Sequence, residues 1–168
     1  MPRKEVKGKM KKKGFTLIEL MVVVIILGIL AVVIAPRIPA LVRKAKEGAA
    51  KGALATLRSA LNIYYSDNEG IYPRDQNIES GAPQPTNVLG SLVPKYLKKI
   101  PPITLPPWHV EPSTATYGYK TTPNAASIVN DATHRWGYCA DSTQESDWGN
   151  IFINCSHTDT AGKAWCTY

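Results

Sequence analysis

Net charge is what this sequence lacks over most of its length. Residues 15–168 hold 13 basic and 12 acidic side chains, although the whole chain carries +7. Six of those seven charges sit in residues 1–14, where Arg3, Lys4, Lys7, Lys9, Lys11, Lys12 and Lys13 face one acid, Glu5. A basic balance confined to a tail is not a basic folded surface, so no direct nucleic-acid binding is expected. Catalytic patterns are missing too. Ser156, His157 and Asp159 are close in sequence, but no G-x-S-x-G or second-site pattern supports a triad, and the chain is not read as an enzyme. No paired C-x-x-C exists, so Cys139, Cys155, His157 and Cys166 do not read as a zinc site. All three cysteines fall in the last thirty residues, which fits a local disulfide in an exported head. Two would pair and one would be left over, with all three pairings open. No internal repeat is present.

What the chain does have is one long apolar run, Phe15 to Ala35, interrupted in charge only by Glu19. At about 1.5 Å per residue it extends roughly 31 Å, enough to cross the hydrocarbon core of a bilayer. The basic stretch before it holds the N-terminus in the cytoplasm. Two plain explanations fall short. A cleaved signal peptide would need a small-residue site after the core, yet Val33-Ile34-Ala35 is followed by Pro36. A simple membrane anchor explains the length but gives Glu19 no purpose, and a carboxylate in hydrocarbon is costly.

Helical periodicity continues over 36–66. Ala50, Leu54, Leu57, Leu61 and Tyr64 recur every three or four residues, with Lys44, Lys51, Arg58 and Asn62 on the other face. Pro36 and Pro39 predict a kink at the join, and Gly28 adds a soft point. From Asp67 the texture changes to turn signals, DNEGIYPRD and GAPQPTN. Residues 88–99 read as a short helix interrupted by Pro94. IPPITLPPWHVEP should run extended and cannot be a central strand. Residues 117–120, 135–140 and 150–155 read as short strands, the last two as an antiparallel hairpin, and KAWCTY as a further edge strand. Trp108, Trp136, Trp148 and Trp165 read as core and rim of the head.

The stretch Gly14-Phe15-Thr16-Leu17-Ile18-Glu19-Leu20, with its basic leader and apolar run, resembles the signature shared by type IV pilins and the pseudopilins of type II secretion. A weaker resemblance to major pseudopilins continues through YYSDNEGIYP (64–73) and LVPKYLKKIP (92–101). The resemblance implies an α+β pilin-like fold: a long kinked N-terminal helix packed on a small C-terminal antiparallel sheet. The implied parts are a leader, 1–14, a membrane and filament-core helix, 15–35, its amphipathic continuation, 36–66, and a globular head, 67–168.

It further implies that a prepilin peptidase cuts between Gly14 and Phe15 and methylates the new Phe15 amine. A glycine there lets an extended backbone enter a protease unobstructed. Glu19 then lies one helical turn from a positive amine. Its partner is either its own Phe15 amine and helix end or, as the family implies, the Phe15 amine of an adjacent subunit. The expected product is a homopolymer built by inner-membrane machinery, a pseudopilus in the periplasm or a pilus at the surface. The basic stretch Arg37–Lys51 is a candidate to meet acids of neighbouring heads. Some pseudopilins bind calcium in a C-terminal loop, which makes Asp141 and Asp147 weak calcium candidates; no other cofactor is expected. The alternative is a membrane-anchored binding domain that never polymerises.

Overall fold

The computed structural model describes residues 14–129 and 132–168, so all of the basic leader except Gly14 lies outside it. The chain divides into two compact units, Met1–Ala40 and Leu41–Tyr168.

In the first unit, helix α1 spans Leu17–Ile34 and none of its residues is buried. Leu, Ile and Val occupy every side of it, so it has no polar face to offer water and no apolar stripe to single out. Among the described residues, one helical stretch, Leu17–Asp67, is long and apolar enough to cross a membrane. Gly28 lies within α1, and Pro36 sits in a single 3-10 turn, Ala35–Arg37, that follows it. Helix α2 is Ile38–Asp67, with Pro39 its second residue, where a missing N–H has no helical acceptor to disappoint.

Within the second unit, α2 buries Glu47, Ala50, Leu54, Leu57, Ala60 and Leu61, the expected stripe with Tyr64 only half-buried and with one acid and one alanine added. Burying a leucine of this kind stabilises by about 2 kcal/mol. The helix ends where Glu69 and Gly70 enter positive φ, 55° and 83°, and the Gly70 N–H bonds back to the Tyr65 carbonyl at 3.0 Å. A short helix α3, Gln76–Ser80, follows, capped by the Asp75 side chain.

Six strands complete the unit: β1 Gln84–Thr86, β2 Ile103–Leu105, β3 His109–Ser113, β4 Thr116–Tyr119, β5 Trp136–Cys139 and β6 Ile151–Ile153. One sheet has the order β1-β4-β5-β6, and β2 and β3 form a separate antiparallel pair. The predicted β5–β6 hairpin is antiparallel, with Gly137 opposite Phe152. The expectation of a purely antiparallel sheet is corrected at its centre, because β4 and β5 run parallel, Thr116 opposite Trp136 and Tyr119 opposite Cys139. A parallel pair needs a crossover of about a dozen residues or more, and 120–135 supply that length.

Three local expectations change as well. GAPQPTN contributes edge strand β1, where Pro85 is tolerated because an edge leaves its missing donor harmless. Residues 88–99 form only a 3-10 segment, Val88–Leu92. The chain end is a 3-10 turn, Trp165–Thr167, in place of a strand.

Strand alternation splits the sheet between two apolar clusters. Trp136 and Tyr138 of β5 join Ile151 and Ile153 of β6 against Leu54, Leu57 and Leu61 of α2. Cys139, Phe152, Tyr117 and Tyr119 point the other way, into a second cluster with Cys166. A side chain at Gly137 would run into the Phe152 ring, so glycine is what lets that ring lie flat on β5.

Candidate functional site

The N-terminal motif folds into a capping box at the start of α1. The Glu19 amide donates to Thr16 Oγ1 at 3.2 Å, and the Thr16 amide donates to Glu19 Oε2 at 2.9 Å. The Thr16 hydroxyl also donates to Glu19 Oε2, at 2.8 Å. Thr at the cap with Glu three residues later satisfies two helix-end donors reciprocally. Glu19 therefore has a local partner that neither sequence reading named, and the signal, T-x-x-E ahead of an apolar run, was there to be read. Phe15, Ile18, Glu19, Val22 and Val23 line a shallow exposed groove on the same end of the helix.

The two weaker motifs meet in the head. Tyr64 packs edge-on against Tyr96 with centroids 5.4 Å apart, and Lys95 bridges to Asp67 at 3.0 Å. The Pro73 carbonyl accepts from the Tyr138 hydroxyl at 2.6 Å and from Trp148 Nε1 at 3.2 Å. Trp136 Nε1 donates to the Pro101 carbonyl at 2.9 Å. Both segments thus position the sheet rather than line a site for chemistry.

Two of the basic side chains of 37–51, Arg43 and Lys51, find partners inside their own chain. Arg43 Nε lies 3.1 Å from Glu47, one turn on. Buried Glu47 also accepts from the Thr160 hydroxyl at 2.6 Å and its amide at 3.1 Å. Lys51 Nζ donates to Asp159 at 2.8 Å and to the Tyr168 hydroxyl at 2.8 Å. Arg58 Nη2 donates to the main-chain oxygen of Tyr168 at 2.6 Å. Lys51 and Arg58, placed by periodicity on the outer face, instead hook the last turn of the chain onto α2.

Cys139 and Cys166 are buried, and neither is joined in a disulfide in this structure. Cys155 belongs to the core beneath α2, whereas the other two sit in the second cluster among Tyr117, Tyr119 and Phe152. Burial pushes the Cys139 thiol up to about 12, so it stays protonated. Asp141 accepts from the Thr143 amide and hydroxyl, and Asp147 accepts from the Thr122 amide at 2.9 Å. Asp159 faces Lys51 and Tyr168, and His157 lies against Cys155.

Comparisons with known proteins agree with this geometry. The family described as the prokaryotic N-terminal methylation motif matches residues 9–35. The type II secretion system core protein G of Pseudomonas aeruginosa is 39% identical over 104 residues, covering 58% of this chain and 69% of that protein. The Escherichia coli core protein G is 35% identical over 100 residues, 58% of this chain and 68% of that protein. The type IV major pilin protein PilE of Neisseria gonorrhoeae is 38% identical over 89 residues, 53% of this chain and half of the pilin. No solved structure matches the chain. With the methylation motif on its apolar helix, a pilin-like α+β fold, and two relatives covered over two thirds of their length, this chain belongs to the family of the type II secretion system core protein G.

Proposed function

We propose that the chain is a filament subunit made as an inner-membrane precursor, cut between Gly14 and Phe15 by a prepilin peptidase and methylated on Phe15. Copies then assemble through α1 into a periplasmic pseudopilus. The observation that carries this reading is a helix with no buried residue whose N-terminal end holds a single carboxylate, Glu19. Similarity to core protein G over 69% of its length, against half of the Neisseria pilin, favours the pseudopilus over a surface pilus.

Before cleavage, Glu19 closes the first turn of its own helix through Thr16. Cleavage would create a positive amine at Phe15, one turn away. In a bundle of α1 helices whose contacts are otherwise apolar, that amine in one subunit and Glu19 in the next fix axial register. The contact is head-to-tail and does not close on itself, as a fibre requires. Loss of the leader removes six of the chain's seven net positive charges, releasing the hold of the cytoplasmic face. The role is structural, not enzymatic.

Mass spectrometry of the mature protein tests the processing: methylated Phe15 as the first residue is expected, and an intact Met1 or a start near Pro36 would overturn it. A Glu19→Ala variant tests the assembly. It should be processed and remain in the membrane yet be missing from filaments; normal incorporation refutes the register role. Loss of an exported enzyme without visible surface fibres separates pseudopilus from pilus.

A further inference from the structure

We infer that the head carries a zinc site made by His109, Cys155 and His157. Their ligand-capable atoms all lie within 4.8 Å of one another, although the residues come from two distant segments. His109 opens β3, and Cys155 and His157 follow β6 in a C-x-H arrangement. Cys155 Sγ is 3.5 Å from His157 Nδ1. In a tetrahedral zinc centre, Zn–S of about 2.3 Å and Zn–N of about 2.0–2.1 Å separate sulfur from nitrogen by roughly 3.6 Å. One edge of the coordination polyhedron is therefore at its bound spacing already.

The rings are disposed to meet a common ion. His109 and His157 lie with centroids 5.2 Å apart at 67°, so their nitrogens approach from different directions, as a tetrahedral corner needs. Trp108 stacks on the outer face of His157 at 4.6 Å and 11°, although the indole itself is 59% exposed. The Trp165 amide holds the His157 carbonyl at 3.0 Å. The imidazole is thus pinned from its ring and from its backbone. Cys155 is fully buried and His109 nearly so, while His157 is half-buried and gives an ion its way in.

Donor chemistry selects the metal class. One thiolate with two imidazoles suits zinc and disfavours magnesium or calcium, which take oxygen. Binding releases the Cys155 thiol proton and forms a Zn–S bond, with both histidines neutral and one corner left for water. The ion would tie the β2–β3 pair to the segment after β6.

The test uses the full chain in detergent, reduced and stripped by a chelator, then titrated with Co2+ and Zn2+. One equivalent of Co2+ should give tetrahedral visible absorption and a thiolate charge-transfer band, both removed by one equivalent of Zn2+, and Zn2+ should raise the Tm. Cys155→Ser should abolish the charge-transfer band. Because that buried position could fail to fold, His157→Gln decides independently. It should bind Zn2+ at least about tenfold more weakly and lose the rise in Tm that Zn2+ gives the unaltered chain. Absence of the band in the unaltered chain, or unchanged zinc affinity in His157→Gln, overturns the site.

Discussion

Lys51 on α2 and Asp159 near the end of the chain form a 2.8 Å ion pair, closed into a triangle by the Tyr168 hydroxyl. The Asp159 carboxyl is held below the usual carboxylate range, first by Lys51 and then by Tyr168. Lys51 is raised, first by Asp159 and then by Tyr168. The stability from Asp159 is present in full above its unfolded value of about 3.9 and lost as pH falls through its lower folded value. That from Lys51 is present below about 10.4 and lost as pH rises through its higher folded value. Asp159→Asn should therefore flatten the acid limb of a stability–pH profile followed by circular dichroism. Asp159→Ala should cost about 2 kcal/mol at neutral pH.

Glu47 supports the same segment from one turn earlier on α2. Its carboxylate takes the amide and the hydroxyl of Thr160. Glu47→Ala leaves both donors without that acceptor and should destabilise the head by about 2 kcal/mol. Amide exchange at Thr160 should quicken well beyond the change at Leu57. Glu47→Gln, which keeps an acceptor oxygen, should lose less.

Cys139 and Cys166 should behave as inert thiols. Both are buried, and burial raises both, Cys139 to about 12. At pH 8 almost no thiolate is present to attack an alkylating reagent. Native protein treated with iodoacetamide should remain unlabelled at these positions, and denatured protein should label at both without prior reduction. Peptide mass spectrometry reads the result.

Gly137→Ala should be among the most damaging single-methyl changes in the head. The added carbon would meet the ring of Phe152, its cross-strand partner, within a sheet whose two faces are both covered. Overpacking of this sort costs about 1–3 kcal/mol. Thermal unfolding of the full chain in detergent checks it, and Gly137→Ala with Phe152→Leu should recover part of the loss.

The helical half was legible because its signals are local. Length and unbroken apolarity mark α1, and spacings of three and four mark the stripe from Ala50 to Leu61. The strands at 117–120, 135–140 and 150–155 were also legible, through aromatic and β-branched residues between turn signals. Glu47 was missed because a lone acid at helical spacing looks like a solvated face until its acceptor role is known. The parallel β4–β5 pairing was missed because strand direction depends on how a connection returns, which residue type does not encode.

By itself the sequence determined that an apolar helix with one acid near its start precedes an amphipathic helix and a small β-rich head, since hydrophobic periodicity and helix capping act over a few residues. Tertiary structure alone decided which distant groups meet: Lys51 with Asp159, Tyr64 with Tyr96, and His109 with Cys155 and His157. It also divided the cysteines between two faces of one sheet. Those outcomes depend on strand order and on which way each side chain points, and both are set only when the sheet closes on α2.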